Sequence, residues 1–154
     1  MSKLNKEKIE SLIDHPKAHQ ILNHLNSLNV KDAAIDIKVR IENSWIFLAV
    51  NEPITTTHGT YQDAIFQTTM SFVEGQMAFI YNTYTKEKYQ GKGVYGLVAD
   101  LRDRIIEQTG AKFMSSMIRN DNDNMQKAAL KAGWKKAFVG TNHCIFIKEV
   151  LEIA

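Results

Sequence analysis

Apolar and polar positions change period several times along the chain, and each change marks an element. Leu4, Ile9, Leu12 and Ile13 predict a short first helix, and after Pro16 the spacing of Ala18, Ile21, Leu22, Leu25 and Leu28 predicts a second. Ile35, Ile37, Val39 and Ile41 then alternate with polar residues, as in a half-buried strand. Residues 45–50 are a continuous apolar run behind an Asn43-Ser44 turn. Residues 53–60 read as a loop, and 61–72 and 76–85 each contain a strand. Beyond them the order becomes helix, strand, helix, strand, strand. Val94, Leu97, Val98, Leu101, Ile105 and Ile106 form a helical stripe that stops at Gly110. A short strand at 112–118 precedes a helix at 122–132, which opens on Asp/Asn caps and closes at Gly133. Residues 134–139 and 144–150 supply the last strands. Antiparallel strands followed by a βαβ unit predict an α/β (α+β-like) domain with a mixed, mostly antiparallel sheet flanked by helices.

Composition narrows the class without choosing a function. The 154 residues are the size of a single domain, and 44% apolar with 23% charged content excludes disordered and fibrous chains. No apolar run is long enough to span a bilayer, and the N-terminus has no signal-peptide core, so a cytoplasmic protein without membrane contact is expected. The one cysteine, Cys144, opens an apolar strand and reads as a packing residue. Lys and Arg number 7 against 9 Asp and Glu in residues 1–75, and 12 against 8 in residues 76–154. That excess suits a phosphate-bearing ligand but is far from the basic stripe of a nucleic-acid binder. Lys127, Lys131, Lys135 and Lys136 read as a solvated face or as contacts to adenosine phosphates. His15, His19 and His24 decorate the N-terminal region. His15 and His19 stand four apart, but no third ligand accompanies them and no metal is expected.

Candidate chemistry lies at residues 90–95, Gln-Gly-Lys-Gly-Val-Tyr, between a predicted strand and a predicted helix. Glycines at 91 and 93 permit positive φ and let the backbone approach a ligand closely. The next helix offers unpaired N–H groups and the positive end of its dipole, a site for pyrophosphate. Gln90 and Lys92 can add contacts at the rim. Gly91, Gly93 and Gly96 also fit the dinucleotide spacing, but the ribose-binding acid that should end a second parallel strand is missing. The Gly-Lys-Ser/Thr phosphate loop fails because Gly93 follows Lys92.

Residues 89–95 resemble the acetyl-CoA loop of the GNAT superfamily of N-acetyltransferases, Gln/Arg-x-x-Gly-x-Gly/Ala. Residues 122–134, from Asn122 to Lys131-Ala-Gly133-Trp134, look like the family's second motif, and the resemblance covers roughly residues 76–138. It implies one GNAT-like domain over 1–154, with N-terminal helices in 1–30 and the coenzyme-binding core in 76–138. It implies acetyl-CoA as co-substrate, strand contacts from Thr83 and Thr85, and phosphate contacts from Gln90, Gly91, Lys92, Gly93, Val94 and Tyr95. Asn122 would bind the pantetheine arm. The reaction would be direct attack of an amine, on a small molecule or a protein, upon the thioester. A homodimer is compatible with the pattern.

Three departures stand out. Tyr95 occupies a Gly/Ala position of the loop. The leaving-group tyrosine of the second helix is replaced by Ala129. The strand that carries a Glu or His base in some members reads Ala78-Phe79-Ile80-Tyr81-Asn82 here. By alternation Phe79, Tyr81, Thr83 and Thr85 share a face, with Asn82 and Tyr84 opposite, packed under a helix. Tyr81 is therefore the candidate catalytic group, although an unperturbed phenol titrates near 10. The second reading is a non-catalytic acyl-CoA-binding or partner-binding module.

Overall fold

The N-terminal helical stretch is broken at a proline. In this computed structural model, which describes residues 6–28 and 34–150, α1 (Lys6–Glu10) passes into a 3-10 turn at Ser11–Asp14, and α2 (Pro16–Leu28) begins after His15. Leu4, placed in the first helix by its spacing, lies outside the described residues. A residue before proline is pushed out of the helical region, and His15 is extended at φ −66°, ψ 148°. Its Nδ1 accepts the Lys17 N–H at 3.0 Å, so His15 precedes α2 and does not share a helix with His19.

Four strands follow: β1 (Asp36–Glu42), β2 (Trp45–Thr56), β3 (Gly59–Val73) and β4 (Met77–Thr85). Then come α3 (Val94–Glu107), β5 (Phe113–Arg119), α4 (Asp123–Lys131), β6 (Lys135–Val139) and β7 (His143–Glu149). They form a seven-stranded sheet in the order β1-β2-β3-β4-β5-β7-β6, with every neighbouring pair antiparallel except β4 and β5. The expected mixed sheet with flanking helices is what the chain forms. The loop expected at 53–60 is not. β2 runs through Pro53, which pairs with Gln62, and only Thr57 and His58 turn before Gly59 at φ 123°. Pro53 lies past the last β1 pair, Asp36–Asn51, where one edge of β2 is free, and proline is tolerated on such an edge.

Of its predicted stripe α3 buries Val94, Val98, Leu101, Ile105 and Ile106 in one continuous core, and Leu97 packs against that core partly buried. Its helical bonds end at Glu107, and the chain turns on to Gly110 at φ 74°. Arg102 is also buried, between the rings of Tyr95 and Trp134 at 5.9 and 5.8 Å, with Asp103 3.4 Å away. α2 runs antiparallel to α3: Lys17 pairs with Asp100 at one end, and His24 meets the residue before Gly93 at the other. α2 contributes Ala18, Ile21 and Leu25 to the core and α4 contributes Ala129. Cys144 is fully buried in β7, as a packing residue should be. Among the described residues no helix is long and apolar enough to cross a membrane.

Strict alternation fails in β4. Tyr81 pairs with Thr69 and Tyr84 with Gln67, so Asn82 and Thr83 together oppose Thr68. Asn82 takes a left-handed φ of 52° to make this bulge. Cross-strand partners share a face, and the extra residue swaps the faces beyond it. Thr83 and Thr85 therefore join Ala78 and Ile80 on the core side, whereas Phe79, Tyr81 and Tyr84 look outward at 41%, 43% and 48% exposure. Two expectations are corrected: Tyr81 does not share a face with Thr83 and Thr85, and neither Asn82 nor Tyr84 packs under a helix.

Because the bulge depends on positive φ, Asn82→Gly should stay within about 0.5 kcal/mol of the natural protein in urea unfolding. Asn82→Val should lose about 1–2 kcal/mol. Equal stability of the two variants would contradict the bulge.

Candidate functional site

Two diverging strands make the site. β4 and β5 pair only from Met77 to Ile80 and from Phe113 to Ser116. Past that point β4 keeps β3 on one edge, and its other edge borders a cavity of about 990 Å³ between the strands. Thr83 and Thr85 line its β4 wall and Ser116 and Ile118 its β5 wall, with α3 and α4 beyond. Tyr81, Met117 and His143 also line it, from the sheet face turned away from the core. The cavity therefore reaches both faces of the sheet.

At one end stands the glycine turn. Gly91 and Gly93 lie at φ 71° and 80°, in the region only glycine enters freely. Gly93 is the N-cap of α3; no side chain caps that end and its first turn carries no acid. Its N–H groups and dipole are thus left for an anion. By contrast α4 is capped by Asn122, whose Oδ1 accepts the Met125 N–H at 3.1 Å.

Of the residues singled out by sequence, Tyr81, Thr83, Thr85, Gln90, Gly91, Gly93, Val94, Tyr95 and Asn122 all line the cavity. Lys92 is not among the lining residues, and its carbonyl is turned to His24 of α2. Gln90 does not reach outward: its Nε2 donates to the Thr85 carbonyl at 3.0 Å and ties the turn to the end of β4. The Thr83 hydroxyl pairs with that of Thr68 at 2.9 Å, inside the bulge. Tyr95 turns its ring to Phe66, 6.0 Å between centroids, which accommodates its bulk at a Gly/Ala position. Ala129 is buried in the core, and the α4 side chains facing the cavity are those of Asn124, Met125 and Ala128. Phe79 is exposed and does not line the cavity.

Sequence reading missed a charged cluster beneath the turn. Glu52 of β2 is 4% exposed, its Oε1 accepts from Lys88 Nζ at 3.0 Å, and Oε2 lies 3.8 Å from Lys86 Nζ without a well-formed hydrogen bond. Lys86 also donates to Asp63, which holds its ammonium above the usual lysine range. Burial, and then the Glu52 carboxylate, push the Tyr89 phenol up to about 12. These contacts fasten residues 86–89, which lead into the turn, to the β2–β3 hairpin. The signal was hidden because Glu52 lies next to Pro53, in the stretch read as approaching a loop. His143 was passed over for a similar reason: only the β5–β7 register, pairing it with Arg119, brings it to the cavity.

No family model matches the chain, and no curated protein matches it. Solved structures do. Nourseothricin acetyltransferase superposes with a TM-score of 0.60 at 10% identity, over 79% of this chain and 86% of that one. PaiA N-acetyltransferase from Thermoplasma acidophilum, solved in complex with coenzyme A, gives 0.55 at 16% identity over 69% and 61%. A putative acyl-CoA N-acyltransferase from Klebsiella pneumoniae gives 0.56 at 10% over 91% and 94%. The chain has the GNAT fold. Within it, the diverging β4 and β5 and the glycine turn before α3 form one continuous feature.

The raised Tyr89 pKa has a stability consequence. A phenol that keeps its proton longer when folded stabilises the fold below pH 10, and this contribution is lost as pH rises from about 10 to about 12. Chemical denaturation across that window should show a steeper decline for the natural protein than for Tyr89→Phe. Parallel declines would contradict it.

Proposed function

We propose that the chain is an acyl-CoA-dependent N-acetyltransferase that moves an acetyl group from acetyl-CoA to an amine on a small molecule or a protein. The carrying observation is the uncapped α3 terminus behind two left-handed glycines, opening into the cavity where β4 and β5 part. Anion-seeking N–H groups stand at one end, and a strand edge that β5 leaves unpaired runs from there to Ile80, its Thr85 carbonyl taken by the Gln90 side chain. A pyrophosphate joined to an amide-bearing arm and a thioester has the matching order of chemistry. Gly91, Gly93 and Val94 would hold the phosphates, the β4 edge from Tyr81 to Thr85 would pair with the arm, and Asn122 with Met125 and Ala128 would close the far wall.

The thioester would then lie near the point where the strands meet, and the cavity's outer mouth beside Tyr81, Met117 and His143 would admit the acceptor. The amine nitrogen attacks the carbonyl carbon, the C–N bond forms and the C–S bond breaks. The amine loses a proton and the thiolate takes one up. Fixed orientation supplies much of the rate, and coenzyme A thiolate leaves readily without a dedicated acid. Tyr81 and His143 are the groups at the mouth able to exchange a proton. A second reading, a non-catalytic acyl-CoA-binding module, is favoured by one observation: no described residue lining the cavity carries a carboxylate.

Calorimetry with acetyl-CoA tests the binding claim, and release of free thiol in the presence of an amine panel tests transfer. Gly93→Val should weaken acetyl-CoA about five- to thirtyfold as φ strain of about 1–2 kcal/mol pulls the turn out of its binding conformation. A Cβ there would meet no protein atom closer than His24 Nε2 at 3.7 Å, so the added Cβ itself is strained by φ rather than by contact with the protein. Gly96→Ala, inside α3 with open space around it, should bind like the natural protein. No binding at millimolar acetyl-CoA would sink both readings, and tight binding without turnover would select the second.

A further inference from the structure

A turn that binds an anion must face its peptide N–H groups inward, so the carbonyls of those peptides face outward and need donors. A trans peptide carries its N–H and C=O on opposite sides. Whatever holds the Lys92 carbonyl therefore aims the Gly93 N–H. That donor comes from α2: His24 Nε2 lies 2.5 Å from the Lys92 carbonyl oxygen, 68 residues away in sequence. A carbonyl only accepts, so Nε2 carries the proton. The same Nε2 would be the nearest atom, at 3.7 Å, to a Cβ placed on Gly93, so the imidazole stands directly behind the glycine. α2 cannot readily withdraw it, since Ala18, Ile21 and Leu25 are buried and Lys17 meets Asp100 of α3 at 3.7 Å.

We infer that His24 is a positioning residue for the phosphate turn, holding the Lys92–Gly93 peptide so that its N–H points at the bound pyrophosphate. The inference rests on reading this turn as the coenzyme's phosphate site. It gives the N-terminal helices a part in coenzyme binding through one backbone contact, with no side chain of α2 touching the ligand. An imidazole in this role needs only its Nε2 proton, so a side-chain amide of similar reach can replace it, whereas an apolar ring cannot.

His24→Phe keeps a ring and removes the donor, and His24→Gln keeps a donor and removes the ring. With coenzyme A as the probe in calorimetry, His24→Phe should bind about tenfold more weakly, the loss of about one hydrogen bond. His24→Gln should stay within about threefold of the natural protein. Equal affinity of His24→Phe and the natural protein overturns the inference. So does His24→Gln binding as weakly as His24→Phe, because ring bulk would then be the cause. A natural protein that does not bind coenzyme A at all instead overturns the phosphate reading. The contact is still decided without ligand, by long-range 1H–15N NMR of the free protein: His24 protonated at Nε2 supports the inference, and protonation at Nδ1 alone overturns it.

Discussion

Parallel pairing between β4 and β5 stops after Ile80 and Ser116, and most of what is distinctive in this molecule follows from that stop. A strand that leaves its neighbour exposes a row of backbone groups that must be satisfied by something other than the sheet. Here the bulge at Asn82 turns β4 at the point of departure, and the Thr83–Thr68 hydroxyl pair holds the turned strand to β3. The separation is thus supported from the β3 side while β5 leaves the other edge unpaired. The glycine turn and α3 complete the opening, because the crossover from β4 to β5 has to begin at the mouth the two strands create.

The turn itself is secured from three directions. Gln90 reaches back to the Thr85 carbonyl, Glu52 gathers Lys86 and Lys88 beneath the approach to it, and His24 takes the Lys92 carbonyl from α2. Holding the Lys92 carbonyl and the flanking lysines leaves the start of α3, which no side chain caps, turned to the cavity, and a free helix N-terminus is what an anion requires. A buried carboxylate carries a desolvation cost, and Glu52 is held beside Lys86, Lys88 and Tyr89. The chain keeps charge under its glycine turn where an apolar packing residue would be cheaper to bury.

Periodic elements were legible in the sequence. The alternation from Ile35 to Ile41 and the stripe from Val94 to Ile106 each report a single buried face, and burial on one face is what periodicity encodes. The glycine turn was legible because positive φ restricts the residue type. Features that depend on tertiary position were not. Pro53 reads as a strand breaker unless β1 is known to end beside it. One left-handed asparagine reverses the facing of every later residue in β4, which moved Tyr81 away from Thr83 and Thr85. His24, Glu52 and His143 carry no local signal, because each acquires its neighbours only through packing of α2, the β2–β3 hairpin and the β5–β7 register.

Everything proposed for this chain requires the gap between β4 and β5, entered from the glycine turn, to be the coenzyme groove. Titrating the 15N-labelled protein with coenzyme A and following its amide resonances tests this most directly. The largest shifts should fall at Gly91, Gly93 and Val94 and along β4 from Tyr81 to Thr85, with β1 and the distal end of the β2–β3 hairpin unmoved. Saturable shifts confined to another surface, or none at millimolar ligand, would contradict it.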